Sequence, residues 1–326
     1  MRDPHLLPKA HLHLHLEASA RPAVIAAIAA RHGTSFAVPG RWTSFEQFND
    51  AYAAMVSWIT EPDDLTAVCR DIVEHDAKQG VRYIEPIMLL ASYAERFGMT
   101  EAEVFALVRD AFLGAAAPYG IEIGFQLAGI WTFAHERNEL TAQLAAEHAH
   151  LDVVAFNYCG IEPRESYRAW RRATDIARDA GLKIVPHAGE FGPAANVASA
   201  IEDLEADRIC HGVRALESPA VMDLLAERQI ACDMAPTSNV VLGVVPDLAS
   251  HPIRQFLERG IPVTLNADDE LFFGSGVGNE YVVVRDQFGL SDVELADIAR
   301  TSVNASFAPA ATKARINQEI DAWLAS

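Results

Sequence analysis

Two periods of apolar residues alternate along the chain. From Lys9 to Glu17 the sequence reads KAHLHLHLE, and a strand points successive side chains to opposite faces, so His11, His13 and His15 share one face and Leu12, Leu14 and Leu16 the other. Further apolar runs follow: VRYIEPIM (81–88), IEIGFQLAGI (121–130), VVAFNYCG (153–160), KIVPHAGE (183–190), RICHGV (208–213), ACDMAP (231–236) and PVTLNADD (262–269). The segments between them repeat their apolar positions at helical spacing, as in DDLTAVCRDIVEHDAKQG, TEAEVFALVRDAFLGAAAPYG, ELTAQLAAEHAH and YRAWRRATDIARDAG. NVASAIEDLEA, AVMDLLAERQ and HPIRQFLERG continue the pattern.

Strand-like runs of this number, each followed by a helix, predict an α/β fold: a (β/α)8 TIM-type barrel with parallel strands and right-handed crossovers. A doubly wound open sheet is the alternative, but it ordinarily carries a Gly-rich turn after its first strand, and none follows HLHLHLE. Residues 276–326 read as closing helices, one of them (291–303) opening on Ser291 as a cap. No linker, repeat or low-complexity tract interrupts the pattern, so one domain is expected over residues 1–326.

One segment departs from the rhythm. After an Ala-rich helix ending at Gly33, the chain carries Phe36, Trp42, Phe45, Phe48, Tyr52 and Trp58 and turns helical near Ser44. Two readings are equal at this stage: a core helix with its aromatic face inward, or a lid of Phe45 and Phe48 over a flat ligand.

Composition narrows the partners. With 50% hydrophobic residues the chain can bury a large core, and a net charge of −19 without a basic stripe argues against nucleic acid. Cys69, Cys159, Cys210 and Cys232 are widely separated and form no CxxC pair, so neither a disulfide scaffold nor a thiolate zinc site is indicated, which fits a reducing compartment. No signal-like pattern is present and no apolar run nears the roughly 20 residues that span a bilayer. A soluble, cytoplasmic protein with no membrane partner is expected; assembly into a homo-oligomer is left open.

The polar and ionisable residues, with Gly160 beside them, gather at the C-terminal ends of the runs, where barrels of this type build their sites. These are His13, His15 and Glu17, then Gly160, His187 and Glu190, His211, the Thr237–Ser238–Asn239 group, and Asp268 and Asp269. Structural histidines and capping carboxylates would scatter. His13, His15, His187 and Asp268 make a set of three nitrogens and one oxygen that suits a catalytic divalent metal, zinc or iron. Such a cation lowers the pKa of bound water to roughly 7. Glu190 and His211, left without a metal role, are the natural acid and base. The plainer alternatives are a helix-start carboxylate for Glu190 and a partner of the metal ligands for His211. Asp269 cannot share the metal with its neighbour on a regular strand, so it is expected to face substrate from a strand already turning.

In order along the chain, PKAHLHLHLE, VPHAGE, RICHGVRALE, APTSNV and LNADD resemble the signature segments of the adenosine deaminase family. The resemblance implies a zinc-bearing amidohydrolase-type barrel that replaces the 6-amino group of a purine base or nucleoside with oxygen and releases ammonia. It implies zinc ligands at His13, His15, His187 and Asp268. Glu190 would share a proton with purine N1, His211 would orient and deprotonate water, Asp269 would accept a hydrogen bond at N7, and Gly160 would offer its N–H to N3. His15 and Glu17 would border the substrate, and His11, outside the family's ligand set, would be structural.

Departures from the family pattern bear on substrate. Glu17-Ala18 stands where adenosine-acting members usually show Asp-Gly, which resembles the adenine deaminase branch; LGVVPDL and FFGS resemble the aminodeoxyfutalosine branch. NYCGIE lacks the Asp-rich variant of adenosine-acting members, and Glu270 replaces a frequent Pro. Adenosine or a 5′-modified adenosine is placed ahead of free adenine, with aminodeoxyfutalosine the other alternative. A different metal-dependent amidohydrolase would often bridge a second metal with a Lys or Glu at the end of the fourth strand, and VVAFNYCG has no Lys. A non-catalytic metal protein would have no use for Glu190, His211 and Asp269. The PCxxC run of cytosine-type deaminases is absent.

Overall fold

The computed structural model describes residues 1–35, 42 and 44–326. Among them the apolar runs form parallel strands paired in chain order: β1 (Lys9–His15), β2 (Val81–Met88), β3 (Glu122–Ile123 and Phe125–Ile130) and β4 (Val153–Cys159). β5 (Lys183–Ala188), β6 (Arg208–His211), β7 (Ala231–Met234) and β8 (Val263–Leu265) complete the order. The ring closes where Asp268 donates its N–H to the His13 carbonyl at 3.1 Å and accepts from His15 N–H at 3.3 Å. The barrel is the one expected; the alternative open sheet is not formed.

The strict alternation of β1 breaks. The register with β2 shifts between His11 and Leu14, and the Asn266 side-chain oxygen accepts both Leu12 N–H (2.8 Å) and His13 N–H (3.1 Å) at that point. His11 therefore does not share a space with His13 and His15. Its Nδ1 bonds Asp76 at 2.9 Å and its Nε2 accepts from Ala267 N–H at 3.2 Å, a fully satisfied structural histidine.

Several strands stop earlier than the apolar runs suggest. β5 ends at Ala188, β6 at His211, β7 at Met234 and β8 at Leu265, so Glu190, Asp268 and Asp269 sit on connecting backbone that aims them individually, and Ser238 lies in the short helix Pro236–Val241. β3 is interrupted at Gly124, where a Cβ would meet the Tyr83 hydroxyl at 2.1 Å. The helix Ala91–Phe97 was not anticipated, while Ser44 and Ser291 do cap the helices Phe45–Val56 and Asp292–Ala305.

An apolar layer between strands and helices holds the barrel from outside; Leu14, Ile72, Phe105, Val197 and Leu295 are among its buried members. Inside, small apolar residues such as Ala128, Ala155 and Val185 lie near a fully buried polar layer. Its centre is Arg208, whose Nη2 donates to Glu85 and Nε to Asp233, each at 2.6 Å. Arg208→Met leaves two buried carboxylates without their cation and is expected to lower unfolding free energy by about 3–5 kcal/mol in urea denaturation. A change under about 1 kcal/mol would show that the layer stands without it. All four cysteines are buried and free. Among the described residues no helix is long and apolar enough to cross a membrane.

Candidate active site

Four of the residues singled out in the sequence meet at the C-terminal end of the barrel. His13 Nε2 lies 3.1 Å from His187 Nε2 and 3.3 Å from Asp268 Oδ1; His15 Nε2 lies 3.3 Å and 3.4 Å from the same two atoms. Ligands about 2.0–2.1 Å from a common centre in a tetrahedral array stand about 3.3–3.4 Å apart. The four distances just given lie at or near that spacing, and His13, His15 and Asp268 are near enough to one another to share one ion.

Their outer partners aim them. His187 Nδ1 faces the Tyr158 carbonyl at 2.9 Å and Asn157 at 3.1 Å, and His13 Nδ1 faces the Asp233 carbonyl at 3.3 Å. A carbonyl only accepts, so Nδ1 carries the proton in both rings and the Nε2 atoms turn lone pairs toward each other. Facing lone pairs call for a cation. Ser238 donates its hydroxyl to Asp268 Oδ2 at 2.7 Å, leaving Oδ1 toward the centre.

Electrostatics agree with the geometry. Burial lowers the pKa of His15 to about 4 and takes His187 well below the usual imidazole value. Burial opposes a charge on His13 too, yet Cys210 and Asp268 outweigh it and raise its pKa well above the usual value, so positive charge is favoured at this spot. Burial likewise opposes ionisation of Asp268, and the imidazoles of His13 and His211 overcome it, holding its carboxyl well below the usual carboxylate range. Asp268 (φ 61°) and His211 (φ 66°) are both left-handed, a strain on the order of 1–2 kcal/mol for each side chain, of the kind that gathers at functional sites.

A second group faces the same space. Glu190 Oε2 lies 3.5 Å from His211 Nε2, which is 3.9 Å from Asp268 Oδ2. The His211 ring is fixed through Nδ1 by the Asn239 amide at 3.3 Å, itself held by His251 at 3.1 Å. Burial lowers His211 to about 3. Burial, with the charges of Asp268 and Glu162, raises Glu190 well above the usual carboxylate value. A neutral imidazole beside a protonated carboxyl is a matched pair for moving protons. Glu190 precedes the helix Ala194–Glu202 by a full turn, so the helix-start reading does not describe it. Asp269 stands at the start of the helix Glu270–Phe273; its Oδ1 is buried without a hydrogen-bond partner, and burial together with Asp268 raises its pKa well above the usual value.

These groups line one end of a cavity of about 360 Å³, which extends past Leu89, Leu127 and Ile130 to the ion pair of Arg137 with Glu101 at 2.7 Å. Gly160 (φ 86°) and Glu17 border it. Glu17 is buried in the short turn Glu17–Ser19 and accepts from the Tyr52 hydroxyl at 2.8 Å; burial raises its pKa. The aromatic helix packs against the barrel and also borders the cavity. Phe45, Phe48 and Tyr52 roof the cavity while packing on Phe191 (4.6 Å between rings), Phe273 (5.6 Å) and Phe272 (5.9 Å). Phe36 of that segment lies outside the described residues. Sequence reasoning missed Asn157 and His251. A polar residue inside the apolar run VVAFNYCG was the available signal for Asn157; His251 gave none.

Comparison with known proteins brings these features into one context. The family model described as adenosine deaminase matches residues 8–323. The chain is 37% identical to a putative adenosine/adenine deaminase of Streptomyces coelicolor, over 99% of this chain and 98% of that one. It is also 37% identical to an aminodeoxyfutalosine deaminase of the same organism, over 98% of this chain and 86% of that one. Its fold is similar to the crystal structure of adenine deaminase from Arthrobacter aurescens, with a TM-score of 0.90, 29% identity, and coverage of 98% and 100%.

Proposed function

The chain belongs to the adenosine deaminase family, and on that premise we propose that this C–N hydrolase replaces the 6-amino group of an adenosine-like nucleoside with oxygen and releases ammonia. The carrying observation is the convergence of three imidazole nitrogens and a carboxylate oxygen beside Glu190, His211 and Asp269 at one end of a single cavity. His13, His15, His187 and Asp268 would hold one divalent cation. A set of three imidazoles and one carboxylate favours zinc, with ferrous iron the other fit. When bound, the cation supplies a Lewis acid that makes water nucleophilic at neutral pH.

The chain's own groups do the rest. Glu190, kept protonated by its buried surroundings, donates to ring N1 and withdraws electrons from C6. The Asn239 amide N–H donates to His211 Nδ1, so the neutral ring carries its proton on Nε2 and orients the attacking water by donating to its oxygen, instead of the deprotonating role the resemblance implies; the carboxylate left on Glu190 takes the proton from that water. As the C6–O bond forms, one proton of water restores the Glu190 carboxyl that protonated N1; as the C6–N bond breaks, the other passes from the new C6 hydroxyl to the departing amine, leaving a C6 oxo group and ammonia. Asp269, also protonated, donates to N7, whose lone pair can only accept. This is the reverse of the direction the resemblance implies. Gly160 supplies its N–H to N3.

The room beyond Glu17, running to Arg137, supports a substituted N9 over a bare base. Free adenine is the second reading, supported by the bulk of Glu17 and its tie to Tyr52. A panel of adenine, adenosine, deoxyadenosine, methylthioadenosine and aminodeoxyfutalosine, followed by ultraviolet absorbance, decides between them by kcat/KM. Glu17→Asp or Glu17→Ala is expected to move the nucleoside-to-adenine ratio of kcat/KM about 10-fold toward the bulkier substrate. An unmoved ratio would show that Glu17 is not the sieve.

A further inference from the structure

Glu162 lies two residues past Gly160, buried in the segment after β4, and collects hydrogen bonds from four successive backbone amides. Oε1 accepts from the N–H groups of Glu190 (2.9 Å), Phe191 (2.9 Å) and Gly192 (3.0 Å), and Oε2 from Gly189 N–H (2.8 Å). Asn196 Nδ2 at 2.9 Å and the Tyr167 hydroxyl at 3.0 Å also donate to Oε2. With β5 finished at Ala188, no strand offers these amides an acceptor; the carboxylate does. Successive amides converging on one anion form a nest.

The local sequence is shaped to this contact. Gly189 takes φ 69°, and a Cβ there would meet Val197 at 2.4 Å; a Cβ at Gly192 would meet Glu162 Oε2 at 2.4 Å. Both positions need glycine for the nest to close. The contact joins two loops of the barrel end, one carrying Gly160 and one carrying Glu190. In the function proposed above, on which this inference rests, those two residues meet N3 and N1 of the same six-membered ring.

We propose that Glu162 is a positioning residue for the deamination: it clamps the loop after β5 to the loop after β4, sets the Glu190 carboxyl at the spacing of the substrate ring relative to Gly160, and affects turnover through Glu190. A purely structural carboxylate would lower activity whatever residue stood at position 190.

A double-mutant cycle separates the two. Glu162→Gln keeps the volume but puts an NH2 group where amide donors need an acceptor. It is expected to lower kcat about 100-fold, with KM changed far less and metal content retained. In the Glu190→Gln background the same substitution is expected to change kcat by less than about twofold, since the group it positions is already inert. A single variant within about threefold of wild type, or an equal loss in both backgrounds, overturns the proposal. Should Glu162→Gln not fold, Gly192→Ala displaces the carboxylate while keeping its charge. The same background-dependent loss is expected of it, and full activity of that variant overturns the proposal. A fully active Glu190→Gln sinks the underlying function; an inactive Glu190→Gln beside a normal Glu162→Gln sinks this inference alone.

Discussion

Glu190→Gln is expected to lower kcat about 10³-fold while the protein keeps its metal and its fold, because the amide preserves shape and burial but cannot deliver a proton. Burial and the charges of Asp268 and Glu162 push the carboxyl well above the usual carboxylate range, so the acid form persists to higher pH than in a free side chain. A raised pKa means that activity is full below that value and falls as pH rises through it. The wild-type profile is therefore expected to lose kcat on its alkaline side, and the residual rate of the Gln variant to lack that limb. Steady-state rates across pH, with metal analysis on the same samples, check both parts. A variant with wild-type turnover would remove Glu190 from the chemistry and leave His211 without its partner.

Stripping the protein of divalent metal is expected to lower turnover about 10⁴-fold, the scale of several kcal/mol of lost transition-state stabilisation. Added zinc restores the chelated wild-type protein. His187→Ala is expected to show the same loss without restoration, because it removes a ring whose Nε2 lies 3.1 Å from His13 and 3.3 Å from His15. Stripping is also expected to lower the melting temperature, since a ligand that binds only the native state stabilises it. Full activity in protein shown by elemental analysis to be metal-free would refute the metal-centre reading.

Much of this was legible in the chain because its signals are local. A period of two exposed β1, and polar residues crowding one end of six of the eight apolar runs pointed to that end of the barrel. What was not legible depends on partners far apart in sequence. The shift that turns His11 toward Asp76 is set by the amide of Asn266, 253 residues beyond His13. The break in β3 answers to the Tyr83 hydroxyl of the neighbouring strand. Arg208 reads as an ordinary cation until Glu85 and Asp233 are seen on either side of it. Strand ends were overrun for the same reason: the chain bends at His211, the last residue of β6, and at Asp268, beyond β8, through left-handed backbone that side-chain type alone does not announce. Glu162 is the extreme case, since its partners are mostly amides that every residue possesses.

Asp268 both contributes an oxygen to the cluster of imidazoles and stitches the first strand to the last through its own peptide group. Loss of a cation is therefore expected to loosen that stitch. Isotope exchange at the amides of His15 and Asp268 becomes a clock for metal escape, slow in loaded protein and fast in stripped protein, while amides on the far side of the ring keep their pace.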